Sequence, residues 1–309
     1  MKFAFVFPGQ GAQSVGMMQA YGEAPVVRST FDEASAALGR DLWRLGAEGP
    51  VEAINQTVNT QPLMLTAGIA VWRSWLDRGG VRPALMAGHS LGEYAALVAA
   101  GVIEFADAVR LVELRAQAMQ EAVPQGEGAM AAILGVDSDT VRAVCADSAQ
   151  GQVVEAVNFN EPRQTVIAGH AAAVARAVEA AKAKGAKRAV MLPVSAPFHC
   201  SLMRPAADKL AARLATIDFQ PPRIPVVANA DAVCHAEAER IKDALIRQAC
   251  SPVRWVETIR YMAAAGVTHV YECGPGKVLA QLVKRIEPAV AGTAIADAAS
   301  LESALAETR

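Results

Sequence analysis

Two short apolar segments, residues 3–7 and 84–87, each run straight into a turn that contains glycine. The first turn has the sequence PGQG, and the second is GHSLG at residues 88–92, which leads into an alanine-rich helix. Short apolar strands that alternate with helices are typical of a mainly parallel sheet covered on both faces. Because 53% of the 309 residues are hydrophobic, the chain can bury such a sheet. The sequence therefore predicts an α/β fold.

The pattern changes at residues 126–128, which read GEG. From there to residue 194 the segments alternate as strand, helix, strand, strand, helix and strand, which is the order of a ferredoxin-like unit. We therefore predict an inserted small domain at residues 126–194 and a large domain made of residues 1–125 and 195–309. In the last part of the large domain, a final strand is predicted at residues 267–271, followed by a helix around residues 278–286.

Composition and charge exclude several classes of partner. The formal net charge is -2 and no long run of one sign occurs, so nucleic acid and anionic membranes are not expected partners. The five cysteines include no CxxC pair, which argues against a disulfide framework and a zinc site. The apolar run at residues 3–7 is too short for the h-region of a signal peptide, and no apolar run reaches the roughly 20 residues of a membrane span. We expect a cytoplasmic protein.

The segment 88–92 matches the nucleophile-elbow pattern GxSxG, in which a serine occupies a sharp turn between a strand and a helix. The main-chain N–H of Leu91 would then face a substrate oxygen at the positive end of the helix. We interpret Ser90 as a nucleophile. The alternative is a purely structural serine, but packing alone does not require a serine in a strained turn.

A serine nucleophile needs a base, and His199 is the strongest candidate among the five histidines. It follows a predicted buried strand and the kinked segment 196–198, and it precedes a helix predicted from residue 201. The positive end of that helix would disfavour the imidazolium and keep the ring available as a proton acceptor. An ordinary helix-capping histidine is the alternative. His89 lies inside the elbow, where its side chain should point away from that of Ser90.

Arg115 lies on the apolar face of a helix predicted over residues 104–123. The apolar positions of that face recur at helical spacing, and the stripe comprises Ala108, Leu111, Val112, Arg115 and Met119. A buried guanidinium requires an anion, and a substrate carboxylate held by two hydrogen bonds would supply one. A structural ion pair, or a side-chain stem that lies along apolar surface, is the alternative.

Several motifs, taken in chain order, resemble those of a known enzyme family. They are FPGQGAQ at 7–13, GHSLGEY at 88–94, Arg115 in a helix that ends in MQEA at 119–122, Asn158 followed by QTVIAG at 164–169, FHC at 198–200 and GPGKVL at 274–279. The chain resembles the malonyl-CoA:acyl carrier protein transacylases and the acyltransferase domains of polyketide and fatty acid synthases. The likeness spans nearly the whole chain.

The resemblance implies an α/β-hydrolase-like large domain with a parallel sheet and an inserted ferredoxin-like small domain. It also implies a role for each site residue. Ser90 is the nucleophile, His199 the base, the N–H groups of Gln10 and Leu91 the oxyanion hole, Arg115 the ligand of the malonyl carboxylate and Gln248 the residue whose main-chain carbonyl orients the histidine. Gln61, Met119, Asn158 and Phe198 are expected to line the cleft.

The implied reaction moves malonyl from coenzyme A to the phosphopantetheine thiol of acyl carrier protein, through an ester on Ser90. Malonyl-CoA and acyl carrier protein are therefore the expected partners, and we expect a monomer that needs no cofactor and no metal. Two rivals remain. A serine hydrolase or thioesterase would carry an acid that completes a triad with His199. A non-catalytic subunit would only dock the carrier protein.

Overall fold

The computed structural model describes residues 1–21 and 24–309 and arranges their strands in two separate sheets. In chain order the strands are β1 (Phe3–Phe7), β2 (Leu85–Gly88), β3 (Gly128–Leu134), β4 (Val154–Glu161), β5 (Gln164–His170), β6 (Arg188–Met191), β7 (Val226–Val227), β8 (His269–Cys273) and β9 (Ala291–Ile295). The first sheet has the order β7-β2-β1-β8-β9 and the second has the order β4-β5-β3-β6. The predicted α/β class with a parallel sheet is confirmed.

Helices cover both sheets. They are α1 (Pro25–Leu38), α2 (Leu42–Glu48), α3 (Val51–Ile54), α4 (Thr57–Asp77), α5 (Gly92–Ala99), α6 (Phe105–Glu121), α7 (Ser138–Ala149), α8 (Ala171–Ala183), α9 (Arg204–Leu214), α10 (Ala238–Ala249), α11 (Trp255–Ala264), α12 (Val278–Ile286) and α13 (Ala298–Thr308). Within residues 1–21 and 24–309, no helix combines the length and the apolar character needed to cross a bilayer.

The strand β1 lies at the centre of the parallel sheet and is buried on both faces. On one face the ring of Phe5 packs against Trp75 of α4, with the ring centroids 5.0 Å apart. On the other face Val6 belongs to a cluster with Trp255 and Ile259 of α11. Successive side chains of a strand point to opposite faces, so a strand covered on both sides must be apolar at every position. This is why the segment reads FAFVF.

The second sheet is antiparallel throughout and presents two different faces. One face carries Ile133, which packs with Val141 of α7 and Val174 of α8. The other face carries Met130 and Val166, which form a separate cluster with Cys200. That second face is directed toward the large sheet, and it forms one wall of the cleft described below.

The edge strand β4 connects the antiparallel sheet to a loop that follows α10. The main-chain N–H of Val253 donates to Val157 O at 2.8 Å, and Phe159 N–H donates to Val253 O at 3.0 Å. The Glu155 carboxylate of the same strand accepts hydrogen bonds from the main-chain N–H and the hydroxyl of Ser201. The strand therefore fixes the segment that follows His199 and the loop that follows Gln248.

Two predicted strands differ from the structure. The strand predicted at 267–271 forms at His269–Cys273, and it is not the final one, because β9 and α13 follow it. The sequence of β9, AGTAI, consists mostly of small residues on a partly exposed edge, so it gives a weak hydrophobic signal. The last strand of the predicted small domain, expected to reach residue 194, covers only Arg188–Met191. Pro193, which follows, cannot donate a hydrogen bond to a sheet.

Candidate active site

The GxSxG turn places Ser90 between β2 and α5, with a φ of 53°. A β-carbon at Gly88 would overlap with the main chain of Gly92, and a β-carbon at Gly92 would overlap with the carbonyl oxygen of Phe7. Only glycine fits at either position. A non-glycine residue in the left-handed region costs on the order of 1–3 kcal/mol and persists only where the surrounding structure enforces it.

Asn229 enforces the conformation of the turn. Its side-chain Oδ1 accepts a hydrogen bond from the main-chain N–H of Ser90 at 2.7 Å, and its Nδ2 donates to Gly88 O at 2.7 Å. Asn229 is completely buried and follows β7. Asn229 was not predicted from the sequence. It belongs to no motif, and 139 positions separate it from Ser90, so no local pattern could have indicated the contact.

His199 meets Ser90 directly. Its Nε2 lies 2.7 Å from Ser90 Oγ, and its Nδ1 lies 2.8 Å from the main-chain oxygen of Gln248. A carbonyl oxygen can only accept, so the hydrogen of the neutral ring is on Nδ1. The lone pair of Nε2 is then free to accept the proton of the Ser90 hydroxyl. His199 also has a left-handed backbone, with a φ of 66°.

The environment keeps His199 neutral. Burial, followed by the charge of the nearby Arg115 guanidinium, lowers the pKa of its imidazole to about 3. The sequence analysis expected a low pKa but assigned it to the positive end of the next helix. Residues Ser201–Met203 instead form a short 3-10 turn, and the α-helix starts at Arg204. The predicted direction agrees, and the main causes are burial and the Arg115 charge.

Arg115 is buried on α6, and its guanidinium lies beside Ser90. Its Nη1 donates to Gln61 Oε1 at 2.8 Å, and its Nη2 donates to Gln248 Oε1 at 3.0 Å and to Ser90 Oγ at 3.3 Å. The guanidinium carbon lies 5.3 Å from the centroid of the Tyr94 ring. All these partners are neutral, and no carboxylate in the described part of the chain forms an ion pair with Arg115. A direct structural ion pair therefore does not explain the burial.

The two residues whose main-chain N–H groups the resemblance assigns to the oxyanion hole both lie at the cleft. Gln10 follows β1 and Leu91 follows Ser90, and both residues line the cleft. Within residues 1–21 and 24–309, neither N–H group donates to a protein acceptor. Both can therefore donate to an oxygen atom bound in the cleft, and the start of α5 favours negative charge there.

The cleft lies between the two sheets and has a volume of about 520 Å³. The residues that the sequence analysis assigned to it and that line it in the structure are Gln10, Gln61, Ser90, Leu91, Arg115, Met119, Asn158, Phe198 and His199. Gln248 lies behind Arg115 and His199 and contacts both. Met130, Val166 and Leu192 contribute apolar surface to the same cleft.

Two further residues support the site without an assignment from the sequence. Glu93 is buried beside the elbow, and its Oε2 accepts hydrogen bonds from Asn229 N–H and Gln248 Nε2. Burial raises the pKa of this carboxyl to about 7. Asn160 of β4 places its Oδ1 2.8 Å from His89 Nε2, a contact that fixes the orientation of the His89 ring. Glu93 lies within the GHSLGEY motif, so its position was visible, but nothing in the sequence showed its partners.

Comparison with known proteins identifies the family. Residues 4–303 match the family model described as acyl transferase domain. The chain belongs to this family. The family resemblance that the motifs predicted is thus confirmed, and the match covers both sheets of this acyl transferase.

Individual relatives are similar to this chain over nearly its full length. The chain is 58% identical over 307 residues to the malonyl CoA-acyl carrier protein transacylase of Salmonella typhimurium, covering 99% of each chain. The crystal structure of an acyl-carrier-protein S-malonyltransferase from Burkholderia pseudomallei is 60% identical, with a TM-score of 0.98 over 99% of this chain and 100% of that one. A malonyl-transacylase solved in complex with its type II PKS acyl-carrier protein is 53% identical, with a TM-score of 0.98 and coverage of 99% and 100%.

Proposed function

We propose that this chain transfers a malonyl group from coenzyme A to the phosphopantetheine thiol of acyl carrier protein, as an [acyl-carrier-protein] S-malonyltransferase. The family match and the names of the full-length relatives support the activity and the partner. The observation that carries the proposal is the guanidinium of Arg115. It is buried, has only neutral partners and lies 3.3 Å from Ser90 Oγ, where an acyl group with a free carboxylate would place its charge.

In the first half of the proposed reaction, Ser90 is the nucleophile and His199 the general base. Nε2 takes the hydroxyl proton while Oγ attacks the thioester carbon. The negative charge that develops on the carbonyl oxygen is stabilised by the N–H groups of Gln10 and Leu91. The carbon–sulfur bond then breaks, the proton passes from His199 to the sulfur, and coenzyme A leaves as the thiol. The malonyl group remains as an ester on Ser90.

The second half reverses these steps. The phosphopantetheine thiol of the carrier gives its proton to His199, and its sulfur attacks the ester carbon of malonyl-Ser90. The same two N–H groups stabilise the oxyanion. The bond to Oγ breaks, Ser90 regains the proton from His199, and malonyl leaves as a thioester on the carrier. The reaction as written uses no cofactor besides the thioester substrates.

Arg115 would select the acyl group. Its guanidinium can bind a carboxylate through two parallel hydrogen bonds, a geometry that a lysine cannot supply. Gln61 and Gln248 hold the guanidinium in place through their amide oxygens. Both amides are neutral, so they fix the geometry and leave the positive charge to be balanced by the malonyl carboxylate.

The rival hydrolase is supported less well by the geometry. It expects an acid hydrogen-bonded to His199 Nδ1, whereas that atom lies 2.8 Å from the main-chain oxygen of Gln248. A subunit that only docks the carrier would not need Ser90, His199 and Arg115 to lie together in a cleft. A transferase accounts for all three residues.

We also propose the finer architecture. The strand order β4-β5-β3-β6, with α7 and α8 on one face, supports a ferredoxin-like small domain at residues 126–194. The strand–serine–helix turn at the carboxyl end of a parallel sheet supports an α/β-hydrolase-like large domain at residues 1–125 and 195–309. We also propose that one chain is sufficient for the reaction, because Ser90 lies within hydrogen-bond distance of both His199 and Arg115 of the same chain.

The test follows the acyl group. Enzyme, malonyl-CoA and a holo acyl carrier protein are mixed, and the mass of the carrier is measured over time. The proposal predicts that the carrier gains one malonyl group for each coenzyme A released. A hydrolase would release coenzyme A and free malonate and leave the carrier unmodified. That second result would refute the proposed function.

A further inference from the structure

One oxygen of the buried Glu93 carboxylate binds both Asn229, which supports Ser90, and Gln248, which supports His199. Glu93 lies in the first turn of α5, three positions after Ser90, and it is only 2% exposed. Its Oε2 accepts a hydrogen bond from the main-chain N–H of Asn229 at 3.0 Å and another from Gln248 Nε2 at 2.8 Å. No step of the proposed reaction uses this carboxylate.

The two partners of Glu93 hold the nucleophile and the base. Asn229 binds the main chain of the elbow at Ser90 N–H and Gly88 O. Gln248 orients His199 through its main-chain oxygen, and its Nε2 also donates to Ser90 O at 2.9 Å. Glu93 therefore lies at the point where the support of the elbow and the support of the histidine meet.

The amide of Gln248 also separates two opposite charges. Its Nε2 donates to the Glu93 carboxylate, and its Oε1 accepts from Arg115 Nη2 at 3.0 Å. A direct ion pair between Glu93 and Arg115 would occupy the guanidinium and leave no place for a substrate carboxylate. Because the Gln248 amide lies between them, the Glu93 carboxylate offsets the positive charge of Arg115 in the empty site without binding it. The guanidinium therefore remains free to bind a substrate carboxylate.

We propose that Glu93 is a positioning residue for acyl transfer, which holds Ser90 and His199 at reacting distance through Asn229 and Gln248 and balances the charge of Arg115 in the empty site. The proposal rests on the proposed function of Ser90, His199 and Arg115. It assigns Glu93 no contact with substrate.

The charge of Glu93 has a consequence for the reaction itself. His199 becomes an imidazolium when it accepts the Ser90 proton, and the positive charge of Arg115 opposes this. A negative carboxylate on the far side of Gln248 favours the imidazolium. In the part of the chain that the structure describes, the other titratable or charged groups that face Glu93 are Tyr94, Arg115, Asp231 and His235. Because burial raises the pKa of Glu93 to about 7, its charge changes within the range where transferases are assayed.

Two substitutions separate charge from geometry. Glu93→Gln keeps an oxygen that can accept both hydrogen bonds and removes the charge, so we expect loading of Ser90 from malonyl-CoA to slow by roughly 10-fold, about the worth of one charge-assisted contact. Glu93→Ala removes the acceptor as well. Misplacement of reacting groups by about 1 Å lowers the reaction rate on the order of 100-fold. We therefore expect Glu93→Ala to lower kcat by about that factor and to change KM little.

Glu272→Gln is the matched control. Glu272 of β8 is also completely buried, and burial likewise raises the pKa of its carboxyl to about 7. Its Oε2 accepts from Ala280 N–H at the start of α12, and in the described part of the chain it contacts none of Ser90, His199 and Arg115. We expect Glu272→Gln to lower thermal stability and to keep the wild-type loading rate and pH profile.

The decisive experiment is single-turnover loading between pH 5.5 and 8.5, followed by intact mass, for wild type, Glu93→Gln and Glu272→Gln. We expect the wild-type rate to rise with pH as Glu93 ionises, and the Glu93→Gln rate to be low and flat over that range. A wild-type rate in Glu93→Gln, or a reduced rate with the wild-type pH profile, overturns the proposal. Wild-type protein that forms no malonyl ester would instead refute the proposed function. If Glu93→Ala fails to fold, the glutamine variant alone decides.

Discussion

Ser90 Oγ lies 2.7 Å from His199 Nε2, although 109 positions separate the two residues in the chain. Both residues have a left-handed backbone, with φ of 53° and 66°. Such strain costs on the order of 1–3 kcal/mol at each residue, and it is found mainly where function requires it. Asn229 at the elbow and Gln248 behind the histidine supply the hydrogen bonds that hold this geometry.

Replacing His199 tests the base. We expect His199→Ala to fold normally and to slow transfer by roughly 10²- to 10⁴-fold, the usual contribution of general acid–base catalysis. Cys200→Ser is the matched control, since the adjacent thiol is buried and donates to Pro197 O. Steady-state transfer rates check both variants. Loss of activity in Cys200→Ser together with retention in His199→Ala would mean that the base has been misassigned.

Arg115 should set the preference for malonyl over acetyl. Arg115→Ala removes both the attraction to the malonyl carboxylate and the penalty for an unpaired buried charge, so the preference should fall by roughly 100-fold or more. Arg115→Lys should rescue poorly, because it keeps the charge without the two-bond geometry. The measurement is the ratio of kcat/KM for malonyl-CoA and acetyl-CoA.

The control for this experiment is Arg110→Ala, on the exposed side of the same helix, where the arginine pairs with Asp107. It should keep the wild-type ratio of kcat/KM. If Arg115→Ala also keeps that ratio, the carboxylate is recognised by another residue, and Arg115 has a structural role.

The low pKa of His199 predicts a pH dependence of stability. The unfolded chain protonates this histidine near 6.5, whereas the folded protein does so only near 3. Between these values the unfolded state binds more protons, so stability falls as the pH falls from 6.5 toward 3. Glu93 acts in the opposite sense between its ordinary value of 4.5 and about 7, because there the folded state binds more protons.

His199→Gln isolates the contribution of the histidine, since it keeps a polar side chain and removes the titration. We expect its Tm to fall less than that of wild type between pH 6.5 and pH 4. Calorimetry at matched pH values measures both. Parallel curves would show that His199 does not stay neutral in the folded protein.

An acidic carrier protein should dock near the basic residues that border the small domain. Four exposed side chains follow α8 or lie at its end, namely Lys182, Lys184, Lys187 and Arg188. Reversal of all four charges should slow transfer to the carrier and weaken its salt dependence, because steering depends on charge complementarity. Loading from malonyl-CoA is the internal control and should not change. Unaltered carrier kinetics would place the docking surface elsewhere.

The parts of the fold that were predictable from the sequence are those with sharp local boundaries. The strand Phe3–Phe7 ends at a Pro-Gly turn, and the helix Val278–Ile286 follows a Gly-Pro-Gly turn, and both agree with the predicted bounds. The burial of Arg115 was visible because it interrupts an apolar stripe at helical spacing. These features depend on neighbouring residues only.

The remaining parts depend on contacts between distant segments. The support of the elbow by Asn229 and the connection through Glu93 require β7, α5 and α10 to meet, and no pattern in the chain records this. The orienting role of Gln248 came from the family resemblance alone. The edge strand β9 was missed because its packing is partial and its residues are small.

The proposed reaction depends on a covalent intermediate in which malonyl is held as an ester on Ser90. The most direct test is intact mass after mixing the enzyme with malonyl-CoA in the absence of carrier protein, for wild type and Ser90→Ala. We expect one malonyl adduct on wild type, located at Ser90 by peptide mapping. It should be stable until a carrier thiol is added, and it should be absent from Ser90→Ala. An unmodified wild-type protein, or an active Ser90→Ala variant, would contradict the proposed reaction.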